Sequence, residues 1–568
     1  MKLRRQFLQL HSRYGTSKTE TTIEATLGEI AAVLGCTHRS ALTIIHKMEA
    51  CGWIAWTSHR GRGARSSLRF LVQPEEIAAE SVMQAIHRKD VRQAIEDIRK
   101  HGGSSSLPDR LQGWLLTYFG HHTEVRRNRQ IDTLRLPVRE QIHTADPLHM
   151  NLLAETFIAG HVFDGLTRRA NQSGEIMPGI AHAWETDETR KVWTFFLRKG
   201  VLFHNGNLLT AEDVVFTFDR LARSTHRTLY SSIFKRIDRV EALNPTTVRM
   251  VLTEPCELFL ASLSTTRASI LPRNFDSRGE KLFGTRPVGT GPFRVAEMSD
   301  NMCVLEAFPH YYQGQAHLDR VEIVHVPWDI SGGQGNDGDD PWSPFHLIHN
   351  PSDAREGAWT QMHSQVFVRK FVTCNARPDG PLSDPSARAG VLAALRGEDL
   401  GKPGDGESPP PAPMRLRIAT IAPYRRDAER VAEQLNAAGY VCEVLSASAE
   451  AFKADDIRLE SDLIVFSLVR DRDEQLRLFD LYQTISKHVE PHTRTDMERL
   501  LRGIAREPDP AARDGLFADI ESMLIREHEL HILYEKPVQT AVLPTVRGVT
   551  FNSQGWVDLR NIWFPPKL

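Results

Sequence analysis

Thr26-Leu27-Gly28-Glu29-Ile30-Ala31-Ala32-Val33-Leu34-Gly35-Cys36-Thr37-His38-Arg39-Ser40 reads as one short helix, a tight turn and the start of a second helix. Thr26 and Glu29 stand three residues apart, the spacing at which a hydroxyl and a carboxylate cap each other's backbone donors at a helix start. Leu27, Ile30, Ala31 and Leu34 then fall at i, i+3, i+4 and i+7, a single apolar face. Gly35 tolerates a left-handed backbone and can stop the helix. The second helix is expected from His38 to about Cys51, with Gly52 ending it. Ala41, Ile45 and Met48 point inward, and Arg39, Thr43 and Lys47 share the opposite face by i+4 spacing. Two short helices across a tight turn, the second polar and basic in its first half, follow helix-turn-helix grammar.

Outward from the pair, Trp53-Ile54-Ala55-Trp56-Thr57 is β-prone, and Ser67-Leu68-Arg69-Phe70-Leu71 alternates like a returning strand. Between them lies a cationic tip with Arg60, Arg62 and Arg65, suited to phosphates or a minor groove. On this reading Thr37, His38, Arg39, Ser40 and Thr43 face base edges, with Lys47 beside them, and the three wing arginines neutralise backbone charge. The plainer alternative is a small α/β domain with solvated arginines. The order of capping box, helix pair, turn and basic hairpin favours DNA.

The charge distribution agrees. Residues 1–75 hold eleven Lys and Arg against five Glu, about +6, while the whole 568-residue chain is formally -2. The rest therefore carries about −8, and a basic head on an acidic body is the footprint of a nucleic-acid module. At 41% apolar and 25% charged residues the chain can bury sizeable cores. The six cysteines are scattered without a C-x-x-C pair, which excludes a disulfide framework and the common zinc grammars. No run approaches the ~18 apolar residues of a membrane span, so no membrane insertion is expected. Gln6, Gln9, His11 and Arg13 interrupt any signal-like start, and Glu24 and Glu29 precede the lipoprotein-like Val33-Leu34-Gly35-Cys36 where apolar residues belong. A cytoplasmic location is expected.

Pro74-Glu75-Glu76 opens an expected connector helix to about His101, broken by Gly102-Gly103-Ser104-Ser105-Ser106, with a shorter helix around Leu111 to Leu116. Arg126-Arg127-Asn128-Arg129 reads as a solvated linker before the strand Leu134 to Val138, a second phosphate contact being the alternative. From about residue 133, strands and helices alternate in the manner of α/β lobes.

The body carries a further ordered series. Asp146-Pro147-Leu148 is followed by Phe163-Asp164-Gly165-Leu166 and Pro178-Gly179-Ile180-Ala181-His182-Ala183-Trp184. Trp193 to Gly206 then runs into Thr210-Ala211-Glu212-Asp213-Val214, and Pro287-Val288-Gly289-Thr290-Gly291-Pro292-Phe293 comes later. Thr210 suits an N-cap with Glu212 and Asp213 in the first turn, and Gly289 and Gly291 suit a sharp backbone bend. This series resembles the family 5 extracellular solute-binding proteins, the oligopeptide, dipeptide and nickel binders of ABC transporters. The resemblance continues through Val372-Thr373-Cys374-Asn375 and the strands at Arg415, Val441 and Asp462. By it, Asp471 corresponds to an aspartate placed against a peptide amine, though the aromatic neighbours of that motif are missing; an exposed loop acid is the alternative.

A winged helix joined to such a body is similar to the SgrR family of bacterial transcriptional regulators, over nearly the whole chain; Thr21 to Leu71 and Val546 to Phe564 both look like that family. The resemblance implies an α/β architecture: a winged helix-turn-helix at 1–75, a helical connector at 76–132, and a bilobal periplasmic-binding-protein-like body of type II, oligopeptide-binding class. Its lobe I is expected at 133–330, lobe II at 331–535 and a C-terminal return to lobe I at 536–568. The implied function is a one-component regulator that binds double-stranded DNA and senses a small effector, a sugar, sugar phosphate or peptide, with homodimerisation an open expectation. Two alternatives remain: an ABC-transporter solute-binding protein with an accessory basic domain, and a DNA-binding protein whose body is only an assembly platform.

Gly333, Gly335 and Gly338 form a literal G-x-G-x-x-G, but Pro341 and the neighbouring aspartates argue for an acidic loop, and Gly401 to Pro413 reads as a second linker. His528-Glu529-Leu530-His531 spaces its histidines three apart, not the four a zinc-binding helical face needs. Asp455-Asp456 reads as a solvated face. No catalytic residue, metal or cofactor is expected.

Overall fold

In the computed structural model, the described residues are 2–14, 22–59, 65–74, 76–77, 118–126, 129–138, 141–170, 173–274, 279–325, 347–348, 360–397, 413–453, 455–542, 546–552 and 555–565. The capping box forms as its spacing dictates. The Glu29 N–H donates to Thr26 Oγ1 at 3.2 Å, and the Thr26 N–H donates to the Glu29 carboxylate at 2.8 Å. Helix α2 (Leu27–Val33) follows. Gly35 takes φ +59, the left-handed turn that releases the chain into α3 (His38–Ala50). Ala41, Ile45 and Met48 are its buried face.

A further helix, α1 (Lys2–Tyr14), precedes this pair. Phe7 and Leu10 are fully buried, and Phe7 meets Trp53 and Phe70 edge-on at 5.7 and 5.5 Å. Burying each such side chain contributes ~1.5–3 kcal/mol, so α1 is integral to this core. Strands β1 (Thr22–Ala25), β2 (Ile54–Thr57) and β3 (Ser66–Phe70) pair antiparallel in the order β1-β3-β2. The expected wing is the β2–β3 hairpin, with β1 added on its far edge.

The body begins with the hairpin β4 (Gly120–Arg126) and β5 (Arg129–Val138). Arg126 and Arg129 pair in its register, so both belong to strands and not to a linker; residues 127 and 128 lie outside the described residues. β5 pairs in parallel with β14 (Arg320–His325), which extends through β13 (Met302–Ala307) to β12 (Phe293–Ser299). The short β6 (Thr167–Arg169) and β7 (Ile176–Pro178) make a two-stranded ribbon. A four-stranded sheet holds β8 (Ala181–Thr186), β9 (Val192–Leu197), β10 (Ile237–Asn244) and β11 (Thr247–Leu252) in the order β10-β11-β9-β8. Trp193, Phe195 and Leu197 of β9 alternate into its core, as the period of two requires.

The second lobe is a six-stranded sheet of β15 (Leu347–Ile348), β16 (Thr360–Cys374), β17 (Arg415–Ile421), β18 (Val441–Ala447), β19 (Leu463–Arg470) and β20 (Leu530–Val542). Their order is β15-β20-β16-β19-β17-β18. The helices Pro385–Arg396, Pro491–Arg506 and Pro510–Arg526 each open on proline, whose missing N–H has no partner to lose there. The chain then returns to the first lobe. Trp556, Leu559 and Ile562 are buried with Leu134 and Phe157, and the Leu559 N–H donates to His161 Nε2 at 3.1 Å.

The backbone bends at Thr290 to Pro292 before β12, as expected, and Gly289 and Gly291 also serve a close approach. A Cβ on Gly289 would sit 2.0 Å from the Val162 carbonyl oxygen, and one on Gly291 2.6 Å from the Val162 carbonyl carbon. The connector residues 78–117, the acidic loop 331–340 and the linker 401–412 lie outside the described residues.

Candidate functional site

The first candidate surface is the outer face of α3. Thr37, His38, Arg39, Ser40, Thr43 and Lys47 are all exposed. Thr37 is the N-cap: its hydroxyl accepts from the Ser40 N–H at 3.3 Å and pairs with the Ser40 hydroxyl at 3.0 Å. The Thr43 hydroxyl donates to the Arg39 carbonyl at 3.0 Å, leaving its lone pairs outward. His38 lies beside Gly28 of α2. Arg39 and Lys47 thus project from one face whose short hydroxyl side chains are held by the helix itself.

Arg65 emerges where the wing returns. Its side chain is 58% exposed and reaches within 3.8 Å of Glu29. The Glu29 carboxyl is held below its ordinary value, first by the Thr26 backbone and hydroxyl hydrogen bonds and then by Arg65. Arg60 and Arg62 lie outside the described residues.

The second candidate is a cavity of about 270 Å³ between the lobes. The first lobe contributes Asn151 to Leu153, Arg227 to Leu229 and Arg267; the second contributes residues from β16, β17, β19 and the helix Glu474–Ile485. One wall is apolar and aromatic. Phe452 and Phe466 stack with centroids 5.4 Å apart, and Tyr424 meets Phe466 edge-on at 5.3 Å. The lining also carries four cations, Arg227, Arg267, Arg458 and Arg477.

Several polar contacts clasp the two lobes around this cavity. Arg169 donates to Asp473 at 2.7 Å, Asn151 to Glu450 at 2.7 Å, and the Tyr230 N–H to Asp480 at 3.1 Å. Arg227 donates to Asp455 at 2.9 Å and also to the Thr484 hydroxyl. Asp455 further receives Lys487 at 2.6 Å and Arg458, so one carboxylate answers three cations. Asp455, expected on a solvated face, is therefore an interlobe ion-pair centre.

Asp471 is buried, not an exposed loop acid. Arg477 donates to it through Nε at 3.2 Å and Nη2 at 2.7 Å. Burial and neighbouring Asp473 push its carboxyl up, while Arg477 draws it down. Burial also opposes the charge on Arg477, yet Asp471 more than compensates, and the guanidinium is held above its ordinary value. Arg477 lines the cavity and Asp471 stands behind it.

Arg267 differs from the other three arginines. It is only 5% exposed, and its one hydrogen bond among the described residues is from Nη1 to the Pro147 carbonyl at 3.0 Å. No carboxylate among the described residues lies within ion-pair distance of it. Burial lowers its pKa to about 10, with Tyr230, Glu155 and Asp480 opposing the shift, so it remains a cation at neutral pH. None of Arg227, Arg267 or Arg458 was singled out in the sequence. Arg267 sits in the polar stretch Ser264-Thr265-Thr266-Arg267-Ala268-Ser269, which carries no local signal of burial.

His528, Glu529 and His531 form no metal site; no group of three or more metal-ligating side chains occurs among the described residues. No helix of the described residues is long and apolar enough to cross a membrane.

Residues 2–121 match the family model for the N-terminal domain of sugar transport-related sRNA regulators, and residues 175–395 match that for the middle of bacterial extracellular solute-binding proteins, family 5. The chain is 28% identical to the protein YhjP of Bacillus subtilis, covering 95% of this chain and 96% of that one. It is 25% identical to the HTH-type transcriptional regulator SgrR of Yersinia pseudotuberculosis, covering 100% of this chain and 99% of that one. The periplasmic binding protein DppA of Helicobacter pylori, solved with the peptide STSA, superposes with a TM-score of 0.61 at 18% identity, covering 76% of this chain and 98% of that one. The last likeness shows the fold of the body. The chain is a full-length homologue of the SgrR transcriptional regulators, built from their N-terminal domain and a family 5 solute-binding domain.

Proposed function

We propose that the protein is a one-component transcriptional regulator working in the cytoplasm. Its winged helix binds duplex DNA, and its bilobal body senses a small polar solute, a sugar or sugar phosphate being the class suggested by the regulator family. The observation that carries this reading is the joining, in one chain, of an exposed polar and basic α3 face to a two-lobed body with a cavity at the lobe interface. Homology over the whole length of an SgrR regulator supports the same combination.

On this reading Arg39, Ser40 and Thr43 face base edges with Thr37 and His38 at the helix start. Lys47, Arg60, Arg62 and Arg65 neutralise phosphates. Asp471 serves the effector indirectly, by orienting Arg477 at the cavity wall. An effector acts only if it binds the closed lobes better than the open ones, and closure must then favour one placement of the winged helix. A homodimer would pair two α3 faces on a symmetric operator.

The test is fluorescence anisotropy of the full chain on genomic duplex fragments, with and without glucose 6-phosphate and other small solutes. Specific, salt-sensitive binding altered by a solute supports the reading. Binding that no solute alters would reduce the body to an assembly platform.

A further inference from the structure

Three of the four cavity arginines are accounted for within the protein: Arg227 and Arg458 share Asp455, and Arg477 is locked to Asp471. Arg267 is not. The nearby acids are engaged elsewhere: the Glu155 carboxylate accepts four backbone N–H groups, from His143, Thr144, Asn151 and Leu152, and Asp480 accepts from the Tyr230 N–H. Its Nη1 is engaged by the Pro147 carbonyl, and the guanidinium lines the cavity with no carboxylate to balance its charge, which is costly for a cation so little exposed. Such a group is retained where a ligand supplies the missing anion, since a planar guanidinium fits a carboxylate or phosphate through paired hydrogen bonds.

The remaining walls narrow the ligand further. Tyr424, Phe452, Phe466 and Leu481 present apolar surface, and the cavity falls below the ~300–1,000 Å³ usual for drug-sized sites. A ligand polar over its whole surface would leave hydroxyls against these rings without partners. We propose that the interlobe cavity binds a small organic acid whose carboxylate or phosphate seats on Arg267 and whose apolar body packs against Tyr424, Phe452 and Phe466. This assignment rests on the solute-sensing reading above and replaces its sugar class: the effector is an amphipathic anion.

The experiment is calorimetry and thermal unfolding of the full chain with four probes. Phenylacetate and phenyl phosphate share the body and differ in the acid, 2-phenylethanol keeps the body without charge, and glucose 6-phosphate keeps the phosphate without the apolar body. At least one aromatic acid is expected to bind roughly ten- to a hundredfold more tightly than either of the last two probes. Whichever aromatic acid binds better identifies the head group. Arg267→Met should abolish the preference for the acid without lowering the unfolding midpoint, since it removes a buried charge that has no carboxylate. Arg267→Lys should retain a weaker preference. Equal binding of 2-phenylethanol, tighter binding of glucose 6-phosphate, or an undiminished acid preference in Arg267→Met would each overturn the assignment. If no probe binds, the assignment also falls; a DNA affinity that still responds to glucose in the same preparation would show that solute sensing stands on other contacts.

Discussion

Arg227 and Asp455 stand 228 residues apart in the chain, yet an N–H of the Arg227 guanidinium donates to the Asp455 carboxylate across 2.9 Å. The bond joins the lobes, and Asp455 also holds Arg458 and Lys487 on its own lobe. This contact between the lobes therefore leans on one carboxylate that keeps three cations from repelling one another.

Asp455→Asn should loosen the clasp. The expected result is a larger radius of gyration in solution scattering and a lower unfolding midpoint at neutral pH, with Arg227→Gln giving a smaller effect. Burial opposes ionisation of Asp455, but the Lys487 hydrogen bond and the charges of Arg458, Lys487 and Arg227 outweigh it, and its pKa lies below the ordinary value. A lowered carboxylate pKa contributes stability that is present above the unfolded-state value of ~3.9 and lost as pH falls through the folded-state value. Wild type and Asp455→Asn should therefore converge in stability below about pH 4.

The winged helix makes separable predictions. Arg39→Ala should cost ~1–3 kcal/mol on the preferred duplex and relax selectivity at one base position. Lys47→Ala should weaken binding to all sequences alike and reduce the slope of log K against log salt by about one. Competition between a preferred and a scrambled duplex at several salt concentrations separates the two; equal losses on both duplexes for Arg39→Ala would remove it from the base edges.

Phe7→Ala tests the contribution of α1. Truncating a fully buried phenylalanine costs ~3–5 kcal/mol, enough to unfold a small module. DNA binding should disappear while the solute-binding body keeps its own unfolding transition in calorimetry. Loss of both transitions would mean that the two parts do not fold independently.

Glu529 gives a pH prediction of opposite sign to that of Asp455. It is fully buried, and burial raises its pKa to about 7 despite the Glu490 N–H donor, Arg388 and the Thr493 hydroxyl. A carboxylate raised from 4.5 to about 7 takes up protons on folding, so stability falls as pH rises through that window. Glu529→Gln should be more resistant to urea than wild type at pH 8 and gain less at pH 5.5, read from denaturation midpoints.

The helix pair was legible because its signals are local: the Thr26–Glu29 box, Gly35 and the Ala41–Ile45–Met48 spacing lie within one short window. α1 escaped notice because Lys2, Arg4, Arg5, Gln6 and Gln9 mask the Phe7 and Leu10 spacing, and its partners Trp53 and Phe70 come much later. The cavity was illegible for the same physical reason at larger scale. Arg227, Arg267, Tyr424 and Arg477 are brought together only by packing of two lobes. Asp455 looked solvated because its partners Arg227 and Lys487 are distant in sequence. The body's architecture, by contrast, was readable because the motifs between Asp146 and Phe293 resemble those of the family 5 solute-binding proteins in order and spacing; the contacts its glycines serve, such as Gly289 against Val162, are distant in sequence.

The most direct measurement is binding of the purified full chain to fragmented genomic duplex DNA across a range of salt. Recovery of a small set of enriched fragments, with log affinity falling linearly in log salt, is the predicted result. Absence of binding at low ionic strength would contradict the regulator reading.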